Sequence, residues 1–262
     1  MSTKEITFSF GRNWTDFLGT VGDDEVEKAK TDIEEWLGEG SVSGKDVIDV
    51  GSGSGIHSLA FVRLGARRVH SFDYDQFSVE ATKRLWSARG EPGHWAVEHG
   101  SVLDKEYLDS LGQFDIIYSW GVLHHTGEMW KAVKNFFGLV NPGGLVWIAL
   151  YQKGPRYAAD LALKKKYNAA SIFGKWVMVY SRVLKIMISR ARHFKNPFTW
   201  NEKSTRGMNR YHDLIDWLGG LPYEVAAEDE VVRAAADNGL VLERISVVNE
   251  GACSVYVFRQ SA

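Results

Sequence analysis

Short unbroken apolar runs alternate along this chain with stretches whose apolar positions recur every three or four residues. The runs Val47–Val50, Arg68–Phe72, Trp95–His99, Phe114–Ser119 and Leu145–Tyr151 predict five strands, and Phe114–Ser119 has the continuous character of a strand buried on both faces. Between them, Ile56–Leu64, the segment carrying Val79, Ala81, Leu85 and Trp86, and Met129–Val140 predict helices. Asn141-Pro142-Gly143-Gly144 reads as a turn before the fifth strand. Such alternation predicts an α/β fold with a doubly wound parallel sheet. Two last runs, Val241–Val248 and Ala252–Arg259, meet at Asn249-Glu250-Gly251, a hairpin signal. A terminal β-hairpin after five parallel strands makes a seven-stranded mixed sheet.

The pattern changes at both flanks. Asp23-Asp24-Glu25 starts a helix whose apolar face is Val26, Ala29, Ile33, Trp36 and Leu37, ended by Gly38 and Gly40. Residues 1–44 therefore read as an N-terminal helical cap, with aromatic-rich 8–14 as a lid. Residues 45–153 and 226–262 form the sheet domain, which resumes with a helix from Glu228 to Asn238. Gly154-Pro155 opens a helical insertion after strand five, 154–225, that caps the domain. Its centre, 171–193, is amphipathic: Ser171, Lys175, Arg182, Lys185, Ser189 and Arg192 share a face, and Ile172, Trp176, Val179, Tyr180, Val183, Ile186 and Met187 fill the rest. Packing of that apolar arc against the sheet is one expectation; an interfacial helix giving peripheral membrane contact is the other. Tyr211–Leu218 predicts a short helix ended by Gly219-Gly220-Leu221-Pro222.

Composition narrows the class. The chain has 262 residues, 45% hydrophobic and 24% charged, which fits one globular α/β domain with an insertion. Cys253 is the only cysteine, so a disulfide framework and a cysteine-rich zinc site are excluded. No apolar core of signal-peptide length opens the chain, and no run of 18 apolar residues occurs. A cytoplasmic location is the expectation. Net charge is −2, but 14 of the 31 Lys/Arg and only two of the 33 acids, Asp160 and Glu202, lie between Lys153 and Arg210. That segment is about +12 and the remainder about −14, a segregation that bears on partners.

The chemistry concentrates where the first strand meets Gly51-Ser52-Gly53-Ser54-Gly55. Strand, tight glycine turn and helix N-terminus together cradle a ligand, because backbone approaches it with no Cβ in the way. A dinucleotide fingerprint would place its third glycine at position 56, which is Ile56. A nucleoside ligand without a pyrophosphate fits this spacing better than NAD. Four further segments follow in order: Asp73 ending strand two, Gly100-Ser101-Val102 after strand three, Tyr118 to Thr126 (YSWGVLHHT) after strand four, and Asn141 to Gly144 (NPGG). With Asp49 to Gly55 (DVGSGSG), these five resemble the class I S-adenosylmethionine-dependent methyltransferases of small-molecule type, over about 45–151 and 228–259.

The resemblance implies a Rossmann-like fold, S-adenosylmethionine as cofactor and S-adenosylhomocysteine as product. It places the cofactor against Asp49, Gly51, Ser52, Gly53, Asp73, Tyr74, Ser101, Val102, Ser119 and Trp120, with Trp14 from the lid. Asp73 would accept the ribose hydroxyls. Ser101 stands where relatives often carry an acid for the adenine amine, and Asp104 is an alternative from further along. His124 and His125 follow strand four, where the transferring methyl should lie, and His212 in the insertion is a third candidate base. The aromatic residues Trp14, Trp120, Tyr151, Tyr157, Trp200 and Tyr211 are candidates to line an acceptor pocket. No metal is expected. The acceptor is read as a small or medium-sized natural-product, quinone or sugar-like molecule, acidic or phosphorylated to suit the basic insertion, methylated at O, N or C. The alternatives are an RNA acceptor, the less expected because the whole chain is slightly acidic, and a protein that binds the cofactor without turnover.

Overall fold

The computed structural model describes residues 23–201, 210–248 and 251–261. Helix α1 (Asp23–Leu37) precedes the strand–helix series β1 (Asp46–Val50), α2 (Ile56–Arg63), β2 (Arg68–Asp73), α3 (Gln76–Ala88), β3 (Trp95–His99), α4 (Lys105–Leu111) and β4 (Phe114–Trp120). A 3-10 turn, Leu123–His125, leads to α5 (Met129–Phe137) and β5 (Val140–Tyr151). The insertion holds α6 (Tyr157–Ala169), α7 (Ile172–Arg192), a 3-10 turn at Pro197–Thr199 and α8 (Arg210–Gly219). Helix α9 (Glu228–Ala236) and strands β6 (Leu240–Ser246) and β7 (Cys253–Gln260) follow.

The seven strands lie in the order β3-β2-β1-β4-β5-β7-β6. β1 to β5 are parallel, and β7 runs antiparallel to both β5 and β6. Strand order reverses between β1 and β4, so the carboxyl ends of those two strands bound a crevice. Alternate strand residues feed two cores. Ile48, Val50, Ile117, Val146 and Ile148 pack on one face with Ala132, Phe136 and Val231; Val47, Ile116, Tyr118 and Trp147 pack on the other with Ile33, Leu59 and Phe61. Strands this covered on both faces read as near-continuous apolar runs, which is the pattern β1, β4 and β5 show.

The insertion leaves and rejoins the sheet at one stem. Gln152 bridges Ala226, with Lys153 N–H donating to Ala226 O at 2.9 Å and Ala226 N–H to Tyr151 O at 2.9 Å. Three local expectations need correcting. Helix α4 is a seven-residue element that the periodicity does not reveal; it starts because Asp104 accepts the Tyr107 N–H at 3.1 Å. One oxygen of Asp104 is thereby engaged as an N-cap. Asn141-Pro142-Gly143-Gly144 does not stand before β5 but bulges within it, between the pairs Phe114–Val140 and Ile116–Leu145. Lastly, α7 packs chiefly on α6 and α8 rather than on the sheet. Its buried side holds Val179 and Val183, while Arg182 lies over the Trp217 ring at 5.0 Å and Lys175 over Tyr167 at 5.4 Å. Two cations of the expected polar face therefore turn inward, and much of the apolar arc is left outside.

Candidate active site

The glycine turn closes on itself through backbone. Gly51 N–H and Ser52 N–H both donate to Phe72 O, at 2.9 and 3.2 Å, tying the end of β1 to β2. Gly51, Gly53 and Gly55 have φ of +85°, +56° and +77°, conformations that favour glycine. A Cβ on Gly51 would sit 2.4 Å from Val122 Cγ2, and one on Gly55 would sit 2.8 Å from Thr82 Cγ2. The first contact joins the turn to the loop after β4; the second lets α2 pack on α3. Thr82, buried on α3, donates to Gly53 O at 3.2 Å and lies 3.0 Å from Ser52 Oγ. Its only trace in the sequence is a polar residue on an apolar helix face.

Two carboxylates flank this turn. Asp49 is buried within β1 and accepts Ser58 Oγ–H at 2.5 Å; burial raises its pKa to about 6 against that bond. It braces β1 against α2. Asp73 ends β2 and keeps one edge open. Its two oxygens accept Gly53 N–H at 3.0 Å and Asp75 N–H at 2.8 Å, and desolvation still lifts its pKa to about 6. The carboxylate is thus fixed beside the glycines by backbone. Each of its oxygens can accept a second hydrogen bond.

The rim beyond β2 and β3 is looser. Tyr74 is 68% exposed, with its carbonyl 3.0 Å from His99 Nε2. Ser101 Oγ accepts Leu103 N–H at 3.2 Å, and buried Val102 is anchored through its carbonyl by Asn135 Nδ2 at 2.9 Å. Across the crevice, Ser119 Oγ donates to Val50 O at 2.9 Å, pinning β4 to β1. The Trp120 ring lies edge-on to Trp147 at 5.5 Å, in the core beside α1 and α2. Trp14 lies outside the described residues, as does the side chain of His212.

The histidine turn is locked to the insertion. His124 is fully buried, and its Nδ1 accepts Tyr151 N–H at 3.2 Å, so the neutral ring carries its proton on Nε2. Burial holds its pKa well below the usual histidine range. His125 is only half-buried; its Nδ1 donates to Pro222 O at 2.6 Å, and burial lowers its pKa to about 3. Glu224 N–H donates to His124 O at 3.1 Å, and the Glu224 carboxylate accepts Met129 N–H at the start of α5. The exit segment Pro222–Glu224 of the insertion thus wraps both histidines.

Behind the turn, Tyr151, Tyr157 and Tyr223 pack ring to ring, with the Tyr151 ring 4.0 Å from His124 and 5.5 Å from His125. Lys164 of α6 is fully buried among them. Its ammonium lies 4.5 Å from the Tyr223 ring and 4.6 Å from Trp217, and it donates to Trp217 O. Burial pushes its pKa down to about 7, with Asp160 opposing the shift. Of the aromatic pocket candidates, Tyr151 and Tyr157 therefore join the histidines, Trp120 belongs to the sheet core, and Trp200 and Tyr211 pack in the small core of the insertion. Among the described residues, no three His, Cys, Asp or Glu side chains are grouped to hold a metal ion.

Comparison with known proteins agrees with this fold. A family model described as a methyltransferase domain matches residues 47–144. A tRNA U34 carboxymethyltransferase from Methylococcus capsulatus is 26% identical over 184 residues, covering 68% of this chain and 55% of the other. A ubiquinone biosynthesis O-methyltransferase from Bordetella avium is 31% identical over 125 residues, covering 47% of this chain and 50% of the other. The chain thus spans about half the length of the curated relatives it matches. The crystal structure of magnesium protoporphyrin IX methyltransferase from Synechocystis superposes with a TM-score of 0.57 at 14% identity, covering 95% of this chain and 94% of that one. Residues 47–144 thus match a methyltransferase domain, and the seven-stranded sheet has the Rossmann-like fold of the methyltransferase that superposes on it.

Proposed function

We propose that this chain transfers a methyl group from S-adenosylmethionine to a small or medium-sized acceptor held between the histidine turn and the insertion. The observation that carries this reading is the contact of Val122 with Gly51. The loop bearing His124 and His125 begins against the glycine turn, so donor and acceptor sites share a wall.

The donor fits the residues present. Asp73 offers a fixed carboxylate with spare acceptor capacity to a ribose diol, and Gly51 to Gly53 leave backbone uncovered for the amino-acid portion. When bound, the cofactor supplies an electrophilic methyl on a sulfonium. This chain supplies alignment, and positioning supplies much of the barrier reduction in such a displacement. His125, half-buried and neutral near pH 7, is the histidine we assign to accept a proton from an acceptor hydroxyl or amine. With a pKa near 3 it is a weak base, and its contribution is modest beside alignment. His124 holds the strand-five end through Tyr151 and orients its neighbour.

A second reading rests on the tRNA-modifying relative and on the basic insertion: the acceptor is an RNA base. Incubation of the protein with labelled S-adenosylmethionine and either a host metabolite extract or tRNA separates the two. Label in the small-molecule fraction is expected. Label in tRNA moves the acceptor to the second reading, and cofactor binding with no label anywhere defeats both. His125→Gln is expected to lower turnover about tenfold at unchanged cofactor affinity; equal turnover removes the base.

A further inference from the structure

Helix α7 has an outer face that nothing in the methyl-transfer site uses. Its inner side is settled by Val179 and Val183, which meet Tyr167 and Leu218. On the opposite side Phe173, Val177, Tyr180, Leu184 and Ile188 recur at spacings of four, three, four and four, one continuous arc, with Trp176 beside it. Phe173 is 74% exposed and Leu184 56%. Just beyond the helix, Phe194 is 100% and Phe198 81% exposed. A soluble surface seldom displays apolar area this continuous without a partner.

The charge around the arc identifies that partner. No acid occurs between Asp160 and Glu202, and α7 itself carries Lys175, Arg182, Lys185, Arg190 and Arg192. Lys185 and Arg192 lie on the exposed flank of the arc. At the C-terminal end of the helix, Ser189, Arg190, His193, Lys195 and Arg210 line a shallow hollow of about 200 Å³. We propose that α7 is an interfacial helix that seats this protein on an anionic phospholipid surface. The apolar arc enters the headgroup–acyl boundary, while Lys185, Arg192 and the hollow engage phosphates.

Two other occupants fit less well. RNA would use the cations, but Val177, Leu184 and Ile188 at the centre of the arc offer neither stacking faces nor phosphate donors. A second copy would bring two strongly positive insertions together, and like charges facing each other oppose association. No helix among the described residues is long and apolar enough to cross a membrane, so the contact is peripheral.

Sedimentation of the full chain with vesicles tests this. Vesicles of phosphatidylcholine mixed with phosphatidylglycerol should carry the protein down at low salt, and phosphatidylcholine alone should not. High salt should release it. The Phe173→Glu/Leu184→Glu double variant should lose about tenfold or more of the binding, and Lys185→Glu or Arg192→Glu about fivefold each. Cofactor affinity by calorimetry should stay unchanged in all of them, showing that they fold. The proposal is overturned by absence of sedimentation with any vesicle, or by equal binding to neutral and anionic vesicles. It is also overturned if tRNA binds and only the charge variants weaken it, or if a dimer forms that Phe173→Glu/Leu184→Glu dissolves.

Discussion

The donor side and the acceptor side of this crevice are built by different means. On the donor side, the glycine turn and Asp73 are positioned by main-chain hydrogen bonds between neighbouring strands, all within residues 51–75. On the acceptor side, His124 and His125 are positioned by partners about a hundred residues downstream, Pro222 and Glu224, and by Tyr151 at the end of the neighbouring strand. Backbone geometry is specified by a few glycines and tolerates no side chain. A packed turn is specified by many contacts, each of which can be exchanged. The donor side should therefore fail abruptly under single substitutions and the acceptor side gradually.

Gly51→Ala should produce the largest failure. Its φ of +85° costs an alanine about 1–2 kcal/mol, and the 2.4 Å approach to Val122 adds overpacking of about 1–3 kcal/mol. The expected result is a loss of about 3 kcal/mol in urea unfolding, with cofactor binding beyond calorimetric detection. Adding Val122→Ala should restore only the overpacking part, about 1–2 kcal/mol. Full restoration would mean that conformation contributes nothing and that the turn behaves like the acceptor side.

This contrast also explains what the sequence discloses. The five parallel strands, the hairpin, the glycine turn and Asp73 are all carried by short-range patterns, and the structure places them together. What escapes is what depends on long-range packing. Lys164 reads as one of three consecutive lysines in a basic segment, yet it alone is buried under three aromatic rings. Glu224 carries no local mark of its role at the start of α5. Periodicity finds the amphipathic character of α7 but not its rotation, because Arg182 and Lys175 can bury their stems against rings. Asp104 satisfies a helix start where a ligand contact is equally plausible from position alone.

Asp73→Asn should give the next effect and sharpen the donor side. If the ionised carboxylate accepts the ribose hydroxyls, its folded pKa of about 6 sets the range. Cofactor affinity should be full above pH 6 and fall as pH drops through it, because the protonated acid loses acceptor strength. The asparagine variant should bind about tenfold to a hundredfold more weakly at neutral pH, the loss of a charged hydrogen-bond pair, and show no fall toward pH 5. A variant that retains the fall would assign it to another group, with Asp49 the first to examine since its pKa also stands near 6.

The smallest effect at neutral pH is expected from Lys164→Met, on the acceptor side. Replacing a buried cation with an apolar chain of similar length removes a desolvation cost together with the bond to Trp217 O and the ring contacts. These oppose each other, so stability at pH 7 should move by no more than about 1 kcal/mol. The pH dependence is where the buried amine shows itself. Its pKa is about 7 in the folded protein against 10.5 for an unperturbed lysine, so between those values the unfolded chain binds the extra proton. Wild-type stability should therefore gain up to about 1.4 kcal/mol per pH unit from this group above pH 7, and the gain should vanish in the variant. Urea titrations of both proteins at pH 7, 8 and 9 measure the difference. Parallel curves would show that the three rings hold a full ammonium throughout, which would make this part of the cap as exacting as the glycine turn rather than more forgiving.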